Sequence, residues 1–198
     1  MNANGRLIVI GENFNATRKL RAVSPHVIRE GNRVGIAYRQ MSGACAQLDI
    51  STIYPSSEEE RATCLIPHIA HAMRTRDIAY VTWVIQSQER AGANIIDLCV
   101  DEISVETEER REWMQWLVEV AQSVTDVTLA IDSSDPDTIR AGIEVCDIRR
   151  SRPAINSTSL EPSRRDLMQL AAEKSALLFA NASGARGMPQ NAEQRVEN

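Results

Sequence analysis

Residues 129–136 read LAIDSSDP, and residues 153–159 read PAINSTS. Each is a short uncharged apolar run that ends on one polar residue, Asp132 or Asn156, and then passes into Ser and Thr. Continuous runs, as opposed to alternating ones, are what strands of a parallel sheet covered on both faces require. Three more segments repeat the pattern: LIVI at 7–10, closed by Gly11, IIDLCV at 95–100, and ALLFANA at 176–182. Between the runs, helical spacing is expected over about 78–91, 106–124, 137–145 and 162–174. Ser134-Asp135-Pro136 places capping side chains before a proline suited to a first helical turn, and Ser159-Leu160-Glu161-Pro162 is similar. After residue 78 strand and helix alternate in units of roughly 25 residues, the signature of consecutive βα units. The fold class read from this pattern is α/β, and specifically a (β/α) TIM barrel.

Composition narrows the function. The chain has 198 residues, 43% hydrophobic and 25% charged, with a formal net charge of -5. Ordinary globular usage at this length fits a single domain over 1–198 with a substantial core. A nucleic-acid partner is not expected, because phosphate-binding surfaces need clustered Lys and Arg. No apolar stretch approaches the roughly 20 residues of a membrane span, and the start MNANGRLIVIGEN lacks the pattern of a signal peptide, so the expected location is cytoplasmic. Cys45, Cys64, Cys99 and Cys146 stand far apart with no CxxC pair, which suits reduced thiols and argues against a structural zinc site.

One stretch breaks the rhythm. Over about 16–76 no strand-helix unit fits, and this is read as an insertion after the first strand. Its tail, EEERATCLIPHIAHAMRTRD, has helical spacing and is expected on the barrel rim or against a partner subunit. Such excursions shape the active-site face in some barrels and are solvated decoration in others.

In a parallel barrel the active site sits at the C-terminal ends of the strands. The polar residues there are Glu12, Asn13 and Asn15 after strand one, Asp97 and Asp101 with strand two, Asp132 after strand three, Asn156 after strand four and Asn181 after strand five. Buried carboxylates and carboxamides need partners, so each is either part of a loop-capping network or a ligand contact. Five successive strands ending this way favour a site. An Asp can accept two parallel hydrogen bonds from a planar amidine-like edge, and an Asn offers a donor and an acceptor beside it. A pterin or purine ring presents such an edge.

The segments IGENFNATRK, GANIIDLCVDE, LVEVAQSVTDVTLAIDSSDPDTIRAGIEVC and PAINSTSLEP, in this order, resemble the pterin-binding methyltransferases. That family includes the methyltetrahydrofolate:corrinoid methyltransferases and the folate domain of cobalamin-dependent methionine synthase. The resemblance skips the insertion and is most specific in the IDSS and INSTS segments. It implies that Asp132 and Asn156 are the pterin-edge pair, that Asp97 is the acid of strand two, and that Glu12 and Asn15 belong to a Gly-Glu-x-x-Asn element lining the same pocket. Asn181 joins the set from strand five, and Glu12 could equally pair with an Arg. The implied reaction moves a methyl group between N5 of tetrahydrofolate and the cobalt of a corrinoid (cobalamin) carried on a partner protein. Cys99 stands where the corrinoid-protein enzymes favour Asn, while Asp101-Glu102 is closer to methionine synthase.

Dihydropteroate synthase, with a similar barrel, fits less well, since Asn15-Ala16-Thr17 runs on into Arg18-Lys19-Leu20. The alternatives are thus a dihydropteroate synthase-like enzyme or a non-catalytic pterin-binding fragment. An eight-unit barrel takes about 250 residues, so the chain is expected to supply only about five strands, a truncated barrel, with a sixth helix beginning at AEQRVEN. An open strand edge favours a homo-oligomer such as a dimer. No catalytic residue and no metal site is assigned. His68 and His71 lack a third ligand, Trp113 and Trp116 are read as packing, Cys99 as a buried hydrophobe, and Gly184-Ala185-Arg186-Gly187 as a loop.

Overall fold

The computed structural model describes residues 7–184 and 187–197. Its centre is a parallel sheet of five strands: β1 (Ile10–Asn15), β7 (Ile95–Cys99), β8 (Thr128–Asp132), β9 (Ala154–Thr158) and β10 (Leu177–Ala180). They lie in the order β1-β7-β8-β9-β10, so each βα unit adds its strand beside the preceding one. Helices α3 (Ile78–Arg90), α4 (Thr107–Val124), α5 (Pro136–Glu144) and α6 (Asp166–Glu173) connect them. The described residues form an open parallel sheet and not a closed barrel.

Strand periodicity sorts the side chains. Ile96 and Leu98 of β7, Leu129 and Ile131 of β8 and Ile155 of β9 are buried in one core with Ile85, Leu117, Val118, Ile139 and Leu167 of the helices. On the other face Ile95, Ala130 and Ala154 form a second, smaller cluster with Leu177 and Phe179 packed on it. Burial on both faces explains why these strands read as continuous apolar runs.

Helix starts follow the expected chemistry. Asp77 caps α3 by accepting from Tyr80 N at 2.9 Å. Asp135 caps α5, accepting from Asp137 N at 3.2 Å and from the Thr138 hydroxyl at 2.8 Å, with Pro136 in the first turn. At the Ser159 signal the chain instead makes a short 3-10 turn over Pro162–Arg164, and α6 starts at Asp166. A final helix, α7 (Ala192–Glu197), follows within AEQRVEN.

One expectation needs correction. The first strand does not occupy 7–10: pairing begins at Ile10↔Ile95 and continues through Phe14↔Leu98 and Asn15↔Cys99. Leu7, Ile8 and Val9 are exposed, because β7 offers them no partner strand beyond Asn94 and Ile95, whose N–H groups bond Val9 O. Glu12, Asn13 and Asn15 therefore lie within β1 and not after it. The segment read as an insertion holds strands of its own, none of them part of a βα unit. β3 (Val27–Glu30), β4 (Arg33–Arg39) and β5 (Cys45–Asp49) make an antiparallel sheet, and β2 (Leu20–Arg21) pairs with β6 (Leu65–Ile66). The Glu30↔Arg33 register leaves a two-residue turn, Gly31-Asn32, with Gly31 at φ 62°. A Gly-Asn pair between short apolar runs is a hairpin signal, and it is legible in the sequence. The segment ends in α1 (Glu58–Thr63), which opens on a Ser57/Glu60 capping box, and α2 (His68–Arg74).

Candidate pterin site on the inner face of the sheet

Asp97, Cys99, Ala130, Asp132, Ala154 and Asn156 share the inner face, since register pairs Asp97 with Ala130 and Cys99 with Asp132, and Asp132 with Asn156. Asn156 Nδ2 donates to Asp97 Oδ1 at 3.0 Å, reaching diagonally across β8. Ala130, with no exposed surface, sits under that bond and leaves room for it. Cys99 stands directly beside Asp132 in the register of β7 and β8, and the thiol holds the Asp132 carboxyl down against the effect of burial. Three of the six sequence candidates, Asp97, Asp132 and Asn156, are thereby brought together.

The electrostatics are those of crowded carboxylates. Asp97 is only 3% exposed, and burial above all raises its carboxyl to about 7; Asp132 and Glu12 add to the rise, and the Asn156 bond opposes it. Asp132 is also raised, chiefly by burial, with Asp101 and Glu12 pushing the same way and the Cys99 bond and Arg164 opposing. Near neutral pH such a set can accept hydrogen bonds from a ligand or hold a proton against it. Glu12 is exposed on β1 and acts on both acids through its charge.

The remaining two candidates are occupied locally. Asn15 Oδ1 accepts from Thr17 N at 2.9 Å, an Asx turn that ends β1. Exposed Asn181 donates from Nδ2 to Ser157 Oγ at 2.7 Å, one residue along from Asn156. His68 Nδ1 meets Tyr80 OH at 2.9 Å and His71 Nε2 meets Asp49 O at 2.8 Å, so both imidazoles have protein partners. Trp113 and Trp116 pack edge to face at 5.6 Å, with the Arg76 guanidinium over both rings. Of the Gly184–Gly187 loop, Ala185 and Arg186 lie outside the described residues.

Sequence reasoning missed one strut, Arg164, and left the other, Asp101, open between a loop-capping and a ligand-contact role. Arg164 donates to Ser157 O at 2.6 Å, Ser133 O at 2.9 Å and Ser134 O at 2.8 Å, tying the residues that follow Asn156 and Asp132 to one guanidinium. Asp101 accepts from the Ser133 hydroxyl at 2.5 Å and from Ser134 N at 2.8 Å, anchoring the same loop from β7. An Arg within SRRD after a strand-end Asn carries no local signal for this role. Asp101 stood out by its place just past a strand tip, and the structure gives it the loop-capping role.

Residues 68–198 match the family described as "Pterin binding enzyme", which takes in α2, α3 and four of the five parallel strands. The chain belongs to the pterin-binding enzyme family. It is 27% identical over 141 residues to a methylcorrinoid:tetrahydrofolate methyltransferase of Eubacterium limosum, a match covering 70% of this chain and 50% of that relative. The chain thus spans about half the length of the curated relative it matches. The family match begins at residue 68, so it leaves out β1 and most of the segment that holds the antiparallel sheet. No helix among the described residues is long and apolar enough to cross a membrane.

Proposed function

We propose that this pterin-binding chain holds the head group of tetrahydrofolate on the inner face of its sheet and serves methyl transfer between N5 of that folate and the cobalt of a corrinoid on a partner protein. The observation that carries this reading is the Asp97–Asn156 bond with Asp132 beside it, a polar patch on an otherwise apolar face. Asp132 and Asn156 are the residues to grip the amino-amide edge of the ring, since an Asp accepts two parallel donors and an Asn supplies one of each kind. Glu12, Asn15 and Asn181 then stand at the margin of the pocket.

A tertiary amine is a poor leaving group, so methyl loss from N5 needs a proton or a strong hydrogen bond in the transition state. Asp97, raised to about 7, is a carboxyl on that face able to hold a proton at neutral pH. The corrinoid supplies a methyl-carrying cobalt when bound, and the chain's own task is orientation and polarisation. The sheet is read as five staves of a (β/α) barrel acting in the cytoplasm, with a corrinoid protein and a second copy of the chain as partners. Binding without turnover is the second reading, favoured by the open sheet.

Calorimetric titration with methyltetrahydrofolate tests the site. Asp132→Ala should weaken binding by about a hundredfold, the scale of a lost charge-assisted bidentate contact. Unchanged heat in that variant would remove the assignment. Corrinoid absorbance on adding methyltetrahydrofolate and a reduced corrinoid protein then separates turnover from binding alone.

A further inference from the structure

A cavity of about 400 Å³ lies apart from Asp97, Asp132 and Asn156, walled by β4, α2 and α3. Three aromatic rings set its character: Tyr38 stands 5.1 Å from Tyr80 and 5.0 Å from Trp83, and Tyr80 stands 5.2 Å from Trp83. Arg18, His26 and Arg39 also line it, and no Asp or Glu does among the described residues. Among the described residues Arg18 uses only Nε on a protein partner, Glu12 O at 3.2 Å, and Arg39 only Nη1, on Gly43 O at 2.9 Å. Asp77, whose charge reaches the Tyr38 and Tyr80 hydroxyls, is held as the cap of α3. Volume, aromatic lining and guanidinium groups with no carboxylate beside them in the described lining are together the marks of a small-ligand site.

We propose that this cavity binds a small, flat aromatic carboxylate, its ring against Tyr38 and Trp83 and its carboxylate met by Arg39 and Arg18. Aromatic contact supplies the apolar part of the affinity, and guanidinium forks match a carboxylate in geometry as well as charge. Tyr38 and Arg39 come from β4 of the antiparallel sheet, which the family match leaves out, so the ligand is set by this chain's own elaboration and not by the pterin site.

The probe is 2-naphthoate, titrated into the full chain by calorimetry and by tryptophan fluorescence. Saturable binding is expected, and the neutral 2-naphthalenemethanol should bind about fivefold or more weakly, the worth of a part-exposed ion pair. Arg39→Gln should cause a similar loss, and Ser87→Phe, which adds a ring to the cavity wall without removing a core side chain, should block binding while circular dichroism melting stays unchanged. Asp132→Ala should leave naphthoate binding intact, so failure here and failure at the pterin site are separable. Absence of saturable heat, equal affinity for the neutral alcohol, or binding untouched by both Arg39→Gln and Ser87→Phe would each overturn the proposal.

Discussion

Asn156 on β9 and Asp97 on β7 are joined by a 3.0 Å hydrogen bond although a whole strand, β8, lies between them. Adjacent strands sit about 4.8 Å apart, so two short polar side chains can meet across an intervening strand only if it offers them no bulk. Ala130 meets that condition.

Enlarging that residue is therefore predicted to act on the site more than on the sheet. Ala130→Leu should separate Asn156 from Asp97 and weaken methyltetrahydrofolate binding about tenfold, with an overpacking cost of about 1–3 kcal/mol. Titration calorimetry beside urea unfolding measures both. Binding as tight as in the parent would show that the bond does not matter to the ligand.

Asp97 predicts a pH dependence of stability. Its folded carboxyl is raised to about 7, whereas an unfolded Asp titrates near about 3.9. Below about 4 both states hold the proton and the contribution is fully present; as pH rises toward 7 the unfolded chain releases its proton first, and stability is lost. The loss is on the order of a few kcal/mol between about pH 4 and 8. Asp97→Asn should remove that slope, so the variant gains on the parent as pH rises from 5 to about 8. Parallel urea-unfolding profiles across that range would refute it.

Arg164 predicts a coupling between stability and binding. Replacing it by Ala leaves the Ser133, Ser134 and Ser157 carbonyls without their shared donor. The cost should be about 2 kcal/mol, with weaker pterin binding as the Asp132 and Asn156 loops drift. Arg164→Lys should recover little, because one ammonium cannot reproduce the planar fork. Denaturant midpoints and binding constants of the two variants decide, and full rescue by Lys would reduce the role to simple charge.

Packing between α4, α5 and β8 predicts an intolerant glycine. A Cβ at Gly142 would stand 2.7 Å from both Ile131 Cγ2 and Met114 Cγ, side chains themselves fully buried. Gly142→Ala should lose about 1–3 kcal/mol despite the better helix propensity of Ala. Thermal melting tests the sign, and a raised midpoint would mean that the core yields there.

The parallel strands were legible because β7, β8 and β9 are covered on both faces and so must be apolar throughout, and the polar tips stood out against them. The acids of the site were legible for the same reason: Asp97 interrupts the apolar run IIDLCV and Asp132 closes the apolar run LAID. β1 was misplaced because it carries the polar residues Glu12 and Asn13 at an irregularity between the Gly11 and Phe14 pairs, and Asn15 at its end, while the apolar 7–9 stretch lies beyond the pairing. The antiparallel sheet went unread because its strands are short and mixed in polarity, so that Gly31-Asn32 was the only sharp cue. The inward or local use of Asn15 and Asn181 depends on hydrogen bonds to Thr17 and Ser157 that no one-dimensional pattern specifies.

The four thiols differ in how open they are: Cys45 is exposed, Cys64 and Cys146 are partly covered, and Cys99 is buried with burial raising its thiol. The protein consequently carries an internal gauge of its own integrity. An alkylating reagent should find Cys45 at once and Cys99 only when the centre of the sheet opens, so the order in which mass is added reports, without any label, whether the floor beneath Asp132 is intact.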